Sequence, residues 1–206
     1  MPIKYVILYI IVILQRHKTR GYLSAMALNK QTFEDRLDES RIVVVLGHLN
    51  SESASKIIFK LLTLSTIDEK EEIQLFISSS GGSYLDMMAI CDTLNTIPNP
   101  VTGICIGAVH GFATLLLAKC TKGRRFALKH SEINFSQPYG YLAPGANQQT
   151  EIAIEAREAR IKREAFEIEM AKATGQTLEK IHADCEVGVT LTAEESKDYG
   201  IIDEIL

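Results

Sequence analysis

The first segment with the outline of a reactive site is ICIGAVHGFATLLLA, residues 104–118. It predicts a buried strand, a tight turn at residues 107–108, and an apolar helix that begins near Gly111. Hydrolases display a nucleophile on such a strand-to-helix turn, because the helix N-terminus supplies backbone N–H groups and the positive end of its dipole. Here the turn carries His110, Gly111 and Phe112, and it has no Ser, Cys or Asp to attack a substrate.

Three nearby polar side chains are alternative sources of chemistry. His110 is interpreted either as a displaced base or nucleophile, or as a polar turn residue of an inactive pocket. Ser136 could attack with His110 as its base, but this would require an inverted geometry and a new orienting acid. Thr114 lies one turn into the apolar helix, where we expect its hydroxyl to bond the helix carbonyls.

A second small-residue turn contains Gly81 and Gly82. Glycines at such a turn allow backbone conformations and close approaches that other residues do not. The flanking serines are interpreted as turn residues, one of them the N-cap of a helix that starts near Tyr84. These serines are Ser78, Ser79, Ser80 and Ser83.

Composition limits the class of protein. The chain has 206 residues, is 46% hydrophobic and 23% charged, and carries a net charge of −4, which suits one globular domain. The net charge and the lack of a basic stripe with interleaved aromatics disfavour nucleic-acid binding. The cysteines form no CxxC pair, so no metal or cofactor is expected. Cys91 and Cys105 lie inside apolar runs and are predicted to be small core residues, which suits a reducing compartment. The four cysteines of the chain are Cys91, Cys105, Cys120 and Cys185.

The N-terminus has a continuous apolar run at residues 5–14. Ten residues are too few for a spanning helix, which needs about 20. A signal-peptide core is an alternative, although the basic residues that follow at 16–20 lie on the wrong side for export. We favour residues 1–30 as an extension outside the fold, arising from a start upstream of Met26, or serving as a targeting or axial segment.

From about Thr32 the pattern alternates between strands and helices. Such alternation predicts an α/β fold with a mostly parallel sheet covered by helices on both faces. The predicted strands are 41–49, 72–78, 99–107, 124–128 and 132–138, and the predicted helices are 51–67, with Ser51 as N-cap, about 84–97 and 112–120.

The C-terminal third changes character. Residues 148–173 predict one long charged helix of about 40 Å, which Gly175 ends. It is either a solvated helix with i,i+4 ion pairs or, as we favour, an arm that packs against a partner subunit. A second helix follows in TLEKIHADCE, a third is capped by Thr192 with Glu195 and ended by Gly200, and IIDEIL forms a last strand.

Several segments together resemble the Clp protease proteolytic subunit family. They are LFISSSGGSYLDMMAICDTL with its Gly-Gly turn, KGRRFAL, SQP, ATGQTLEKI and TAEESKDYGIIDEI. The resemblance covers about residues 31–206 and implies a single domain with the crotonase-like repeated ββα fold. It also implies a protruding handle helix within a handle region at about 136–174, and assembly as two stacked seven-subunit rings, a tetradecamer.

Active members of that family use a Ser-His-Asp triad. The resemblance places Gly111 at the nucleophile, Ser136 at the general base and Gly188 at the orienting Asp. Glycine cannot form an acyl intermediate, and a serine hydroxyl cannot accept a proton near neutral pH as imidazole does. The pattern is therefore closest to the non-catalytic ClpR-type paralogue.

The resemblance also assigns backbone positions. The N–H groups of Gly81 and Phe112 would correspond to the oxyanion hole, and Ser80, Gly81 and Gly82 to the turn that binds extended peptide. Ser80 replaces the proline that is usual in the family.

The implied function is a structural and regulatory subunit of a heptameric ring with catalytic ClpP-type subunits. A Clp/Hsp100 AAA+ ATPase would supply unfolded polypeptides, in the cytoplasm or, in a eukaryote, the plastid stroma. The alternatives are an active Clp-type serine endopeptidase with a relocated nucleophile, a crotonase-like acyl-CoA enzyme and a self-assembled non-proteolytic ring.

Overall fold

A computed structural model describes residues 32–138 and 148–206. The helices are α1 Phe33–Glu39, α2 Ser51–Ile67, α3 Tyr84–Thr96, α4 Ala113–Ala118, α5 Gln149–Thr174, α6 Leu178–Val187 and α7 Ala193–Tyr199. The strands are β1 Ile42–Leu46, β2 Ile73–Ser79, β3 Val101–His110, β4 Arg125–Ala127, β5 Glu132–Phe135, β6 Val189–Thr192 and β7 Glu204–Ile205. The predicted extension at 1–30 lies outside the described residues. Within them, every helix is too short or too polar to cross a bilayer.

The strands form one sheet in the order β1-β2-β3-β4-β7, with β5 paired to β3 and β6 paired to β5. All pairings are parallel except that of β5 with β6. The predicted α/β class and the mostly parallel sheet are therefore confirmed. The sequence pattern missed two elements, α1 and β6.

Strand β3 serves two parts of the sheet. Its first half pairs with β4 and its last three residues pair with β5. Between them the register with β2 shifts, since Ile77 lies opposite Cys105 but Ser79 lies opposite Val109. The predicted turn at residues 107–108 is therefore wrong: a bulge with Gly107 at φ +98° absorbs the extra residues while the strand continues.

Helix α2 has the predicted bounds but a different cap. Asn50 precedes it, and its side chain accepts from the Ser53 N–H while the Ser53 hydroxyl oxygen accepts from the Asn50 N–H, both at 3.0 Å. The prediction of Ser51 as N-cap is wrong by one residue. Reciprocal capping by Asn50 satisfies two backbone donors that Ser51, already helical, could not.

All four cysteines are buried and free of disulfides, which confirms the predicted core positions of Cys91 and Cys105. Burial raises the pKa of Cys91 and of Cys185 to about 12, and that of Cys105 to about 11. Burial also raises the pKa of Cys120. None of these thiols is a nucleophile near neutral pH, because the thiolate is the reactive form.

The long helix α5 ends as predicted, with Gly175 in the left-handed conformation at φ +80°. Only its C-terminal half docks on the domain, through buried Phe166, Glu167 and Met170. Its exposed part holds i,i+4 pairs such as Arg160 with Glu164 at 3.6 Å, as the solvated-helix interpretation expected. We call α5 the handle helix from here on.

A buried ion pair joins segments that are far apart in the sequence. Arg125 is 3% exposed, and its Nε and Nη2 donate to Asp203 Oδ2 and Oδ1 at 2.9 and 2.5 Å. Its Nη1 donates to the carbonyls of Ala173 at 3.1 Å and Gly200 at 2.9 Å. One guanidinium therefore holds β4, the end of the handle helix and the approach to β7 together.

Removing the carboxylate should destabilise the fold strongly. Asp203→Asn leaves the buried guanidinium uncompensated, and we expect a loss of about 3–5 kcal/mol in the free energy of unfolding. Urea unfolding near neutral pH measures this loss. The exposed Asp198→Asn on α7 is the control and should differ little from wild type.

The same pair predicts a pH dependence. Burial by itself would raise the pKa of Asp203, but hydrogen bonds from Arg125 and from backbone N–H groups outweigh it and lower the pKa. A lowered folded-state pKa gives stability that is present above the ordinary Asp value of about 3.9 and lost as pH falls through the lowered value. The difference between wild type and Asp203→Asn should therefore shrink in acid, and a constant difference would contradict this assignment.

Candidate functional site

The candidate site lies where β2, β3 and β5 end. In open parallel sheets, ligands bind outside the carboxyl ends of the strands. Gly81, just after β2, lies against the end of β3, since an added Cβ would be 3.1 Å from the His110 carbonyl oxygen. The Gly111 N–H donates to the Asn134 carbonyl of β5 at 2.9 Å. The three loops therefore share one edge.

Gly111 occupies an open turn between β3 and α4. Its φ is +58°, and an added Cβ would meet no atom within 4 Å. A nucleophile elbow likewise holds its residue in a strained strand-to-helix turn with the side chain exposed. The backbone can thus present a side chain at this point, and the sequence provides none.

Ser136 and Gly188 are neighbours. An added Cβ on Gly188 would lie 3.4 Å from the Ser136 Cβ. Asn134 links this pair to the Gly111 turn. Its carbonyl accepts from the Gly111 N–H, and its Nδ2 donates to the Val189 carbonyl at 2.9 Å. The fold therefore brings Gly111, Ser136 and Gly188 to one edge. The sequence analysis did not single out Asn134, a polar residue that lies between the buried Ile133 and Phe135 of β5.

The backbone at Gly188 differs from that at Gly111. It has φ +71° and ψ 111° at the end of α6, where its N–H donates to the Asp184 carbonyl at 3.0 Å. That combination lies outside the small left-handed region open to L-residues. An acidic side chain at position 188 would therefore require a different local backbone.

The Gly-Gly turn is fixed from within the chain. The Gly81 N–H donates to Ser79 Oγ at 3.2 Å, and that hydroxyl donates to the Gly47 carbonyl at 2.7 Å. An added Cβ on Gly82 would be 2.1 Å from the Leu49 carbonyl oxygen. The predicted oxyanion donor at Gly81 thus has an acceptor already, and Gly82 is required by a close approach of two backbones.

The residues that flank the Gly-Gly turn and Gly111 differ in role. Ser83 is the N-cap of α3 and accepts from the Asp86 N–H at 3.4 Å, which confirms the prediction of a serine cap. Ser80, in place of the usual proline, is exposed. Among the described residues, the N–H of Phe112 has no acceptor.

His110 is the last residue of β3 rather than a turn residue. Its Nε2 lies 3.3 Å from Glu132 Oε1, without the geometry of a hydrogen bond. In the parts of the chain that the structure describes, no hydroxyl or thiol is hydrogen-bonded to a histidine ring. A nucleophile–base pair is therefore not formed in residues 32–138 and 148–206.

Thr114 is fully buried and unreactive, but for another reason than expected. Its hydroxyl donates to the Asn134 carbonyl at 2.7 Å, not to a carbonyl of its own helix. The expected bond is wrong because α4 begins at Ala113, so the residue four before Thr114 still belongs to β3.

Phe112 connects the Gly111 turn to the rest of the domain. Its ring meets Tyr84 at the start of α3 edge-on, with centroids 5.2 Å apart, and Phe166 of the handle helix at 5.3 Å. Phe166 in turn lies 6.4 Å from Phe135 of β5. No periodic pattern in the sequence predicts this cluster, because its members come from four separate segments.

Metal chemistry has no site in the described ranges 32–138 and 148–206. No group of three or more His, Cys, Asp or Glu side chains is arranged there to hold an ion.

Comparison with known proteins places these features in one family. The model of the family described as Clp protease matches residues 26–206. The chain is 38% identical over 179 residues to a protein named ATP-dependent Clp protease proteolytic subunit 1 from Bifidobacterium longum (strain NCC 2705), which covers 87% of this chain and 76% of that protein.

The two turns should respond differently to an added methyl group. Gly82→Ala forces a carbon into the Leu49 carbonyl, and we expect a loss of about 3 kcal/mol or more in unfolding free energy. Gly111→Ala meets open space and should lose only the cost of a left-handed residue, about 1–2 kcal/mol. Urea unfolding with far-UV circular dichroism measures both.

Gly123→Ala is the matched control, because Gly123 has φ +83° and also faces open space. It should behave like Gly111→Ala. Equal stabilities of the Gly82 and Gly111 variants would contradict the close approach at Leu49.

Proposed function

The chain belongs to the Clp protease family, and from that premise we propose that it is a non-catalytic, ClpR-type subunit of an ATP-dependent Clp protease core. The observation that carries this proposal is Gly111. The turn after β3 keeps the shape that presents a nucleophile, with room for a side chain, and holds a glycine. Without a nucleophile no acyl-enzyme can form.

The neighbouring positions support the same proposal. Ser136 and Gly188 lie together. The serine hydroxyl cannot accept a proton near neutral pH, and glycine has no side chain to do so. The nearest histidine in sequence, His110, contacts Glu132 instead of a hydroxyl. A non-catalytic subunit would tolerate the loss of the nucleophile, the general base and the orienting acid together.

The retained scaffold indicates that the shape of the site still matters. Gly81 and Gly82 keep a narrow turn, and Phe112 keeps an N–H with no acceptor among the described residues, at the position where family members bind extended peptide. In our proposal this edge contributes to the wall of a chamber that handles unfolded polypeptide, while catalytic ClpP-type subunits cut it and a Clp/Hsp100 AAA+ ATPase delivers it.

The handle helix supports assembly with other subunits. Its N-terminal half is almost entirely exposed and carries large apolar residues. Exposed apolar side chains on one projecting element favour a protein partner. They are Ile152, Ile154 and Ile161. We propose that these residues contact other subunits in a heptameric ring that stacks to a tetradecamer.

The lack of a nucleophile is tested with a fluorophosphonate probe on the purified chain. We expect no labelling of the wild type. Labelling that Ser136→Ala abolishes would instead support the alternative, a serine endopeptidase with a relocated nucleophile.

The assignment of the two catalytic positions has its own test. Gly111→Ser together with Ser136→His places a hydroxyl and an imidazole at the assigned sites, and this double variant should label faster than either single variant. An equal rate in all three would contradict the assignment. The two single variants are the matched controls.

Assembly is tested by affinity purification from the native cell followed by mass spectrometry and native mass measurement. A co-purifying Clp subunit that retains Ser, His and Asp is the expected result, and a homomeric probe-reactive complex would contradict it. Ile154→Glu with Ile161→Glu should lower the mass of the complex. Ile67→Glu, on an exposed end of α2, is the control and should leave the mass unchanged.

A further inference from the structure

A groove of about 500 Å³ lies between α3 and the base of the handle helix. Helix α4 packs against both of these helices. It spans only six residues, about 9 Å, so it leaves the space beyond its end open. Met88 of α3 and Ala165 and Ile168 of the handle helix give the groove its apolar walls.

The charges that line the groove are unequally satisfied. Lys119 pairs with one oxygen of Glu169, and Lys172 Nζ lies 2.7 Å from the other. Hydrogen bonds from Lys119 and from Lys172 outweigh burial and lower the pKa of Glu169. Asp92 is exposed at the α3 rim, and its carboxylate has no hydrogen bond or ion pair among the described residues. The groove therefore offers one free negative charge beside apolar walls.

A turn elsewhere on the chain is complementary to this lining. Residues 128–131 join β4 to β5. Leu128 is 43% exposed. Lys129 and His130 follow it, are exposed, and have no side-chain partner in the described ranges. The turn thus presents a large apolar side chain and a free cation together.

The other segments that combine these two features carry opposing charge. Three further exposed apolar residues are followed within three positions by an unpaired lysine or arginine, but acidic residues stand between the two in each case. No acidic residue separates Leu128 from Lys129 and His130, so the charge of this turn suits Asp92 best among the described segments. The other pairs are Phe33 with Arg36, Ile67 with Lys70, and Ile154 with Arg157.

The turn is held rigidly on the sheet. The Ser131 N–H donates to the Leu128 carbonyl at 2.9 Å, which closes a four-residue turn. The Cys105 carbonyl of β3 accepts from the Leu128 N–H at 3.1 Å and from the Ser131 hydroxyl at 3.0 Å. Both ends of the turn are therefore fixed to one strand, and little conformational freedom is lost when the turn binds a partner.

The groove and the turn lie on opposite faces of the sheet. Ala127, the last residue of β4, is fully buried in the core beneath the helices. Successive side chains of a strand alternate between its faces, so Leu128 points away from the helical layer that forms the groove. The turn therefore cannot enter the groove of its own chain. A head-to-tail contact with a second copy leaves one groove and one turn free, and repeated contacts of this kind close into a ring.

We propose that the 128–131 turn of one copy of this chain docks into the groove of a second copy, with Leu128 between Met88 and Ile168 and with Lys129 against Asp92. The inference rests on the proposed function, because it names the contact through which neighbouring subunits of the proposed ring meet. It uses neither Gly111 nor the N-terminal half of the handle helix.

Charge reversal at both positions tests the contact in the purified full chain. Lys129→Asp and Asp92→Lys should each weaken self-association about tenfold or more, because like charges then meet in the groove. The double variant that combines the two substitutions restores opposite charges and should recover most of that loss. Sedimentation velocity over a dilution series measures the dissociation constants, and urea unfolding should match wild type because both residues are exposed.

The matched control is Lys122→Asp combined with Asp198→Lys, both at exposed positions. Lys122 also belongs to a hydrogen-bonded turn, since the Arg124 N–H donates to the Thr121 carbonyl at 2.9 Å. This control should associate like wild type. A wild-type chain that stays monomeric at every concentration, or a double variant no tighter than the single variants, would overturn the proposal. A loss for Asp92→Lys with none for Lys129→Asp would overturn it too, because another segment would then occupy the groove.

These outcomes are separable from a failure of the proposed function. If Ile154→Glu with Ile161→Glu lowers the mass of the native complex while the charge variants leave self-association unchanged, only the docking of the turn is wrong. If the fluorophosphonate probe labels the wild-type chain, the non-catalytic assignment is wrong, and the result of the charge reversal stands unaltered.

Discussion

The buried pair between Arg125 and Asp203 is the constraint on which the rest of the structure depends. The guanidinium cannot lose its proton, so the fold must supply it with acceptors wherever it is buried. It finds them in Asp203 and in the carbonyls of Ala173 and Gly200, which belong to the approach to β7, the handle helix and the end of α7. Three segments that are distant in sequence are thereby held at β4.

The site depends next on the two-part strand β3. Because β3 bulges near Gly107 and continues, it can pair with β4 at one end and β5 at the other. The Asn134 carbonyl then accepts from both the Gly111 N–H and the Thr114 hydroxyl, which fixes the elbow. These bonds use backbone groups and the Thr114 hydroxyl, so the shape of the turn does not depend on a side chain at position 111.

The three predicted triad positions are not equivalent physically. At Gly111 the turn leaves open space for a side chain, and Ser136 already carries one. At Gly188 the backbone itself, with φ +71° and ψ 111°, disfavours an L-residue. An acidic side chain at position 188 would therefore require a change in the main chain as well as in the residue type.

The sequence by itself determined the α/β alternation, the bounds of α2, the capping box at Thr192 and the stop at Gly175, because these depend on local periodicity and capping. It also placed Gly111, Ser136 and Gly188 within matched motifs. Only the tertiary structure decided the bulge in β3, the short strand β6, the bonding of Thr114 and the pairing of Glu167 with His182. Each of these joins residues that are far apart or offset by a register shift, and no local pattern records which distant backbone or charge a side chain will meet.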